Sequence, residues 1–160
     1  MQNFTIRRAE QSDLTTVGKL GVSLVQAHFA FDPQRFIEPG PRAVTGYAAF
    51  LRAQLREETA VIFVAEHDGA IAGYVYAELE PHNWKELRAA CGFIHDVVVD
   101  PAHQGSGIGT ALIEAASDWL RDQGAPRIIL WTAEQNTDAQ RLFSRLGFRR
   151  TMIEMTRELT

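Results

Sequence analysis

Residues 93–109 restrict this chain more than any other stretch. Phe93-Ile94-His95-Asp96-Val97-Val98-Val99 is an apolar, β-branched run stopped by Asp100-Pro101, the composition of a buried strand and its end. Gln104-Gly105-Ser106-Gly107-Ile108-Gly109 follows, and then Ile108, Ala111, Leu112, Ala115 and Trp119 recur at helical spacing. Strand, glycine turn, helix is an order that leaves bare backbone N–H groups at the positive end of a helix, a site for an anion such as a phosphate. The spacing narrows the choice. A dinucleotide fingerprint counted from Gly105 and Gly107 needs glycine where the chain has Thr110. A nucleoside triphosphate loop needs lysine after its last glycine, and Gly109 is followed by Thr110-Ala111. What fits is Gln-x-x-Gly-x-Gly after a valine-rich strand.

The rest of the chain divides into alternating elements. Phe4 to Arg8 alternates as a first strand, and Ser12 or Asp13 caps a helix with Leu14, Val17, Gly21, Leu24, Val25 and His28 on one side. Phe29 to Pro41, with three prolines and three phenylalanines, reads as a loop: either tacked to the core by its aromatics or forming a pocket wall. Arg42 to Arg56 is a second amphipathic helix. Ala60–Glu66 and Ile71–Glu80 are strands joined through Asp68-Gly69, the strong hairpin signal. Pro81 to Arg88 is a polar connection, Arg127–Thr132 a further strand, and Asn136 or Thr137 opens a short helix ended by Gly147. Phe148 to Glu158 reads as a closing strand. The expected fold is α/β, a mixed, largely antiparallel sheet with helices on both faces, in a single domain over residues 1–160.

Two stretches carry a resemblance. Val97-Val98-Val99-Asp100-Pro101 with Gln104 to Gly109 resembles the acetyl-CoA pyrophosphate loop of the GNAT N-acetyltransferase superfamily. Asn136 with Ala139-Gln140-Arg141-Leu142-Phe143-Ser144-Arg145-Leu146-Gly147-Phe148 resembles that family's second signature. The resemblance implies that the strands of Val97 and Ile129 are parallel neighbours that splay apart around the cofactor's arm. It implies that N–H groups of Gly105, Ser106, Gly107, Ile108, Gly109 and Thr110 hold the diphosphate, with Gln104 part of the same cofactor-binding loop. The main chain of Val97, Val98 and Val99 would pair with the pantetheine, and the Val97 N–H would polarise the thioester carbonyl. Asn136 either bonds the pantetheine or caps its helix. Phe143 packs against the cofactor arm or the core.

Acetyl transfer to an amine with a pKa near 10.4 also needs a base. Positions that carry glutamate in some of the family hold Phe93 and Trp131 here, and neither is a base. His95 aligns with one of a pair of family histidines, and histidine suits the task; Glu78, Glu80 and Asp96 are alternatives that would also attract a cation. Phe143 stands where the family often has a tyrosine that protonates the leaving thiolate. Phe29, Phe31, Glu78, Glu80 and Trp131 are the expected substrate contacts. The implied activity is acetylation of a primary amine of a small molecule. A non-catalytic acyl-CoA-binding module, a cofactor-free structural or partner-binding domain, and acetylation of a protein N-terminus or lysine are the alternatives.

Composition removes other partners. A net charge of −4 and a pI near 5.7 leave no basic footprint for nucleic acid. No stretch approaches the roughly 20 apolar residues that span a bilayer, and the N-terminus lacks a signal-peptide core, so the cytoplasm is the expected compartment. Cys91, the single cysteine, cannot form an internal disulfide, and the histidines show no metal-ligand spacing. Dimerisation is common among the proteins it resembles, but no sequence feature specifies it.

Overall fold

A computed structural model describes residues 3–159. Five strands form one sheet in chain order: β1 (Phe4–Arg8), β2 (Ala60–His67), β3 (Ala70–Glu80), β4 (Cys91–Val99) and β5 (Ile128–Leu130). The first four are antiparallel neighbours and β4 runs parallel to β5. The β2–β3 turn takes positive φ at both Asp68 (51°) and Gly69 (77°), as a two-residue turn matched to strand twist requires.

Helices cover both faces. α1 (Leu14–Phe31) and α2 (Ala43–Gln54) lie on one, where Leu14, Val17, Leu20 and Leu51 pack on Ile62, Val64, Tyr74, Tyr76 and Val98. α3 (Ile108–Asp122) and α4 (Thr137–Arg145) cover the other, with Ile108, Leu112, Ile113, Ala116, Leu120 and Phe143 on Val61, Ala65, Val75 and Ile94. Each large side chain buried this way stabilises the fold by roughly 1.5–3 kcal/mol. The expected α/β architecture, with its parallel pair, is the one observed, but that pair, β4 and β5, lies at the edge of the sheet and not at its centre. Among the described residues, no helix is long and apolar enough to cross a membrane.

Two expectations are corrected. The helix expected to end before Phe29 continues to Phe31. Pro33 sets the stop, by forcing Asp32 into extended backbone (φ −153°), and the Asp32 carboxylate then accepts from the Gln34 and Arg35 N–H groups. The closing strand expected from Phe148 to Glu158 is absent: residues 149–159 form no regular element and are exposed, with no strand beside them. Alternation supplies strand preference only, and pairing needs an edge that this segment does not reach.

Candidate active site

The sheet opens between β4 and β5. Their pairing runs Gly92↔Ile128, Phe93↔Ile129 and Ile94↔Leu130 and ends there, while β4 continues to Val99 with nothing on that side. The opening coincides with a bulge. Against β3 the register passes from Ala77↔Ile94 to Tyr76↔Asp96, leaving His95 as the extra residue. Before the bulge, the Gly92 N–H points at β5, donating to Arg127 O (2.9 Å). After it, the Asp100 N–H points the other way, to Ala72 O (2.8 Å). The alternation of main-chain directions is therefore reversed, and the N–H groups of Val97 and Val99 face the gap. The Val97, Val98 and Val99 side chains belong to the core or pack on it, so what this strand offers the gap is backbone. Gln104 Nε2 reaches Val99 O at 3.4 Å, tying the turn to the strand end.

The glycine turn sits at the mouth of the gap. Asp100 accepts from the Ala102 N–H (2.8 Å) and Ser106 Oγ donates to His103 O (2.5 Å), which leaves neither side chain to cap α3. Gly105 (φ 78°) and Gly107 (φ 89°) lie in the left-handed region, where a Cβ is strained. Gly107 is the N-cap and no side chain accepts from the first turn, so the N–H groups of Ile108, Gly109 and Thr110 keep no helical partner. Ile108 anchors this turn in the core at 1% exposure. A Cβ on Gly109 would meet Leu142 of α4 at 3.3 Å. This arrangement fits a diphosphate: the first N–H groups of α3 have no side-chain cap, and a Cβ on Gly105 would meet nothing within 4 Å.

Next to the gap stands a wall of aromatic rings. Neighbouring centroids are 5.7 Å apart for Tyr47–Phe50, 5.9 Å for Phe50–Tyr76, 5.0 Å for Tyr76–His95, 4.6 Å for Phe93–His95 and 5.4 Å for Phe93–Trp131. The bulge places His95 between Tyr76 and Phe93, partly exposed, with Nε2 at 3.1 Å from Glu80 and 3.6 Å from Glu78. Donor atoms of these three residues lie within 4.8 Å of one another, a convergence that linear spacing hides because two strands supply it. Arg88 also pairs with Glu80, and Tyr76 donates to Glu78 at 2.8 Å.

Asp96 points the opposite way. Oδ2 accepts from Tyr47 of α2 and from Tyr74 of β3, the latter at 2.9 Å. Burial pushes the Asp96 carboxyl up, partly offset by the two phenols. Burial, and then the Asp96 charge, push both tyrosines up in turn.

Phe31 lies half-buried against His28 (5.9 Å), which also meets Phe36 (5.0 Å); Phe29 is on the same last turn of α1, outside the run of stacked rings. Trp131 is 67% exposed at the end of β5. Asn136 Oδ1 accepts from the Ala139 N–H (3.2 Å) and so caps α4. Phe143 is buried in the core beside Phe148. Cys91 is buried and burial pushes its thiol up, unsuited to a nucleophile. Sequence reasoning did not place Tyr74, Tyr76 and Phe50 at the site. The i, i+2 spacing of the tyrosines and the i, i+3 spacing of Tyr47 and Phe50 were the available signals.

A mixed sheet parted between two parallel strands, with an uncapped glycine turn at the mouth, is the architecture of the GNAT acetyltransferase fold. The Acetyltransferase (GNAT) family model matches residues 24–148, and the chain belongs to that family. The family's acetyl donor is acetyl-CoA. Mycothiol acetyltransferase of Thermomonospora curvata is 34% identical over 108 residues, covering 66% of this chain and 34% of the relative. An uncharacterised N-acetyltransferase of Methanocaldococcus jannaschii is 28% identical, covering 92% of this chain and 62% of its own length. The chain thus spans about a third of the mycothiol enzyme's length. Aminoglycoside N-acetyltransferase AAC(6')-Iy in complex with CoA shares the fold at a TM-score of 0.78 and 20% identity, over 98% of this chain and 94% of that one.

Proposed function

We propose that this chain transfers the acetyl group of acetyl-CoA to a primary amine of a small, cationic molecule. The observation that carries the reading is the unpaired β4 edge from His95 to Val99, lying between an uncapped helix N-terminus and an aromatic, acidic wall. Main-chain N–H groups from Gly105 to Thr110 bind the diphosphate, and the edge of Val97 to Val99 takes the pantetheine as one more strand. Asn136 has its Oδ1 committed to α4, so its amide nitrogen is the atom left for the cofactor. Phe143 acts only by shaping the core beneath.

The amine arrives protonated. The exposed face of Trp131 attracts its charge, joined by Glu78; Glu80 contributes less because Arg88 already neutralises it. His95, at the bulge, takes one proton from the ammonium. The freed lone pair attacks the thioester carbon while the Val97 N–H holds the developing oxyanion. The C–S bond breaks, the amide forms, and the second N–H proton passes to the departing thiolate through water, since no phenol replaces Phe143. Phe29 and Phe31 line the outer approach. The lone, unpaired Cys91 suits a reducing compartment such as the cytoplasm.

The test is thiol release from acetyl-CoA with a panel of small aromatic and aliphatic diamines and amino sugars. Saturable release with at least one amine, weakened by neutral isosteres, is the expected result. The absence of a tyrosine at Phe143 favours a second reading, an acyl-CoA-binding module. Tight binding of acetyl-CoA with no release from any amine, peptide or protein acceptor would establish it and remove the first.

A further inference from the structure

Three metal-ligating side chains from two strands converge on one point of the aromatic wall. Glu78 and Glu80 occupy alternate positions of β3, so both leave the same face. The bulge in β4 brings His95 onto that face. Its ring is stacked between Tyr76 (5.0 Å, 25°) and Phe93 (4.6 Å, 18°), which fixes where Nε2 points. Nε2 lies 3.1 Å from Glu80 Oε1 and 3.6 Å from Glu78 Oε2. All three donor atoms fall within 4.8 Å of one another, and among the described residues no other three His, Cys, Asp or Glu side chains come this close.

The spacing is that of a coordination sphere. Zinc takes imidazole nitrogen and carboxylate oxygen at about 2.0–2.2 Å, and ligands at the corners of a tetrahedron of that size stand roughly 3.4 Å apart. The two distances from Nε2 lie on either side of that value. Partners behind the ligands orient them, as outer-shell groups do in metal sites. Glu80 gives Oε2 to Arg88 and keeps Oε1 for His95, and Tyr76 donates to Glu78 Oε2 at 2.8 Å. Two carboxylates against the single cation of Arg88 leave the cluster net negative. An imidazole among the donors selects against magnesium and calcium, which prefer oxygen alone, and favours zinc.

We propose that His95, Glu78 and Glu80 form a zinc-binding site, and that a zinc ion there shuts the catalytic centre. The ion takes the Nε2 lone pair and both carboxylates, and water completes its tetrahedron. The shutting, though not the binding, rests on His95 being the base: with its lone pair on the metal, no proton can leave the ammonium. Residues 105–110 are not involved, so acetyl-CoA still binds.

The experiment is calorimetric titration of the 160-residue chain with zinc chloride and with magnesium chloride, and addition of cobalt(II) followed by NMR of the histidine rings. One zinc per chain at micromolar affinity or tighter, no magnesium, and cobalt shifts strongest at His95 are expected. His95→Gln and Glu78→Gln should each weaken zinc by at least about 100-fold, since even an outer-shell partner contributes about 10–100-fold. Replacing His67 and His103 by Gln removes the other close histidine pair, 4.9 Å apart, and should leave zinc affinity unchanged. A parent that takes up no zinc overturns the proposal, as does zinc held equally by His95→Gln. The cobalt shifts decide the same question in the parent without any substitution: if they centre on other histidines, the site is refuted. Acetylated product is measured separately. Saturating zinc should abolish it while acetyl-CoA still raises Tm; transfer that continues at full rate overturns the shutting. A chain that binds zinc here and acetylates no amine keeps the site and loses only the functional reading.

Discussion

Gly21 offers a test of how the bulged strand is tied to the helices above it. Built on this position of α1, a Cβ would lie 2.1 Å from Cε1 and 2.3 Å from Cδ1 of Tyr47, and 2.9 Å from the Tyr74 hydroxyl. Tyr74 is fully buried and cannot yield; Tyr47 is half-buried and can swing outward. In Gly21→Ala that swing breaks the Tyr47–Asp96 hydrogen bond. A hydrogen bond to a charged group contributes about 1.5–3 kcal/mol. The exchange of glycine for alanine inside a helix returns about 1 kcal/mol. The net loss is about 0.5–2 kcal/mol, a fall in Tm of about 1–8 °C for a chain of this size. Tyr47→Phe removes the same hydrogen bond directly. The double variant should therefore lose much less than the sum of the two singles, by about 1.5–3 kcal/mol.

The pH dependence carries a definite sign. Burial holds the folded Asp96 pKa above its unfolded value, so ionised Asp96 costs stability at high pH, and that cost is relieved as pH falls through the folded pKa. Losing the Tyr47 donor raises the folded pKa further, so the deficit of Gly21→Ala should shrink in mild acid. Thermal melts of the four chains at neutral and mildly acidic pH read all of this. A stabilised Gly21→Ala, additive with Tyr47→Phe and insensitive to pH, would refute the packing argument.

Other substitutions probe the remaining links. Gly107→Glu forces a residue with a Cβ into a φ of 89° and sets a like charge where the diphosphate should sit; acetyl-CoA should raise the parent's Tm and leave this variant's unchanged. His95→Gln should lower kcat by about 10²–10⁴-fold and flatten the acid side of the pH–rate profile while leaving acetyl-CoA affinity intact; an unaltered profile would remove the histidine from catalysis. Asp13 accepts from Arg7 at 2.7 and 3.1 Å, and that pairing holds its carboxyl below the usual range. Its contribution is therefore present above the unfolded pKa and lost as pH falls through the folded one. Because Arg7 is partly exposed and screened, Asp13→Asn should cost about 1–2 kcal/mol at neutral pH, with the gap closing in strong acid.

Local chemistry decides what the sequence makes legible. Asp68-Gly69 declared a two-residue turn because few other residues accept positive φ in succession, and Gly105 and Gly107 declared an open helix N-terminus for the same reason. Periodicity located α1, α2 and α3, since a buried face repeats every 3.6 residues whatever it packs against. The pairing of β4 with β5 was expected from the resemblance and not from the residues themselves.

Only the tertiary structure could decide what depends on pairing across the chain. Nothing in the run from Phe93 to Val99 marks His95 as an extra residue, because a bulge exists only relative to its partner strand. Yet that bulge sends Asp96 down to Tyr47 and Tyr74, sets His95 beside Glu78 and Glu80, and turns the Val97 N–H into the gap. The segment from Arg149 to Leu159 shows the converse. Its alternation specified a strand, but a strand needs a neighbour to receive its hydrogen bonds, and a sequence can state a preference without saying which edge, or whose, will meet it.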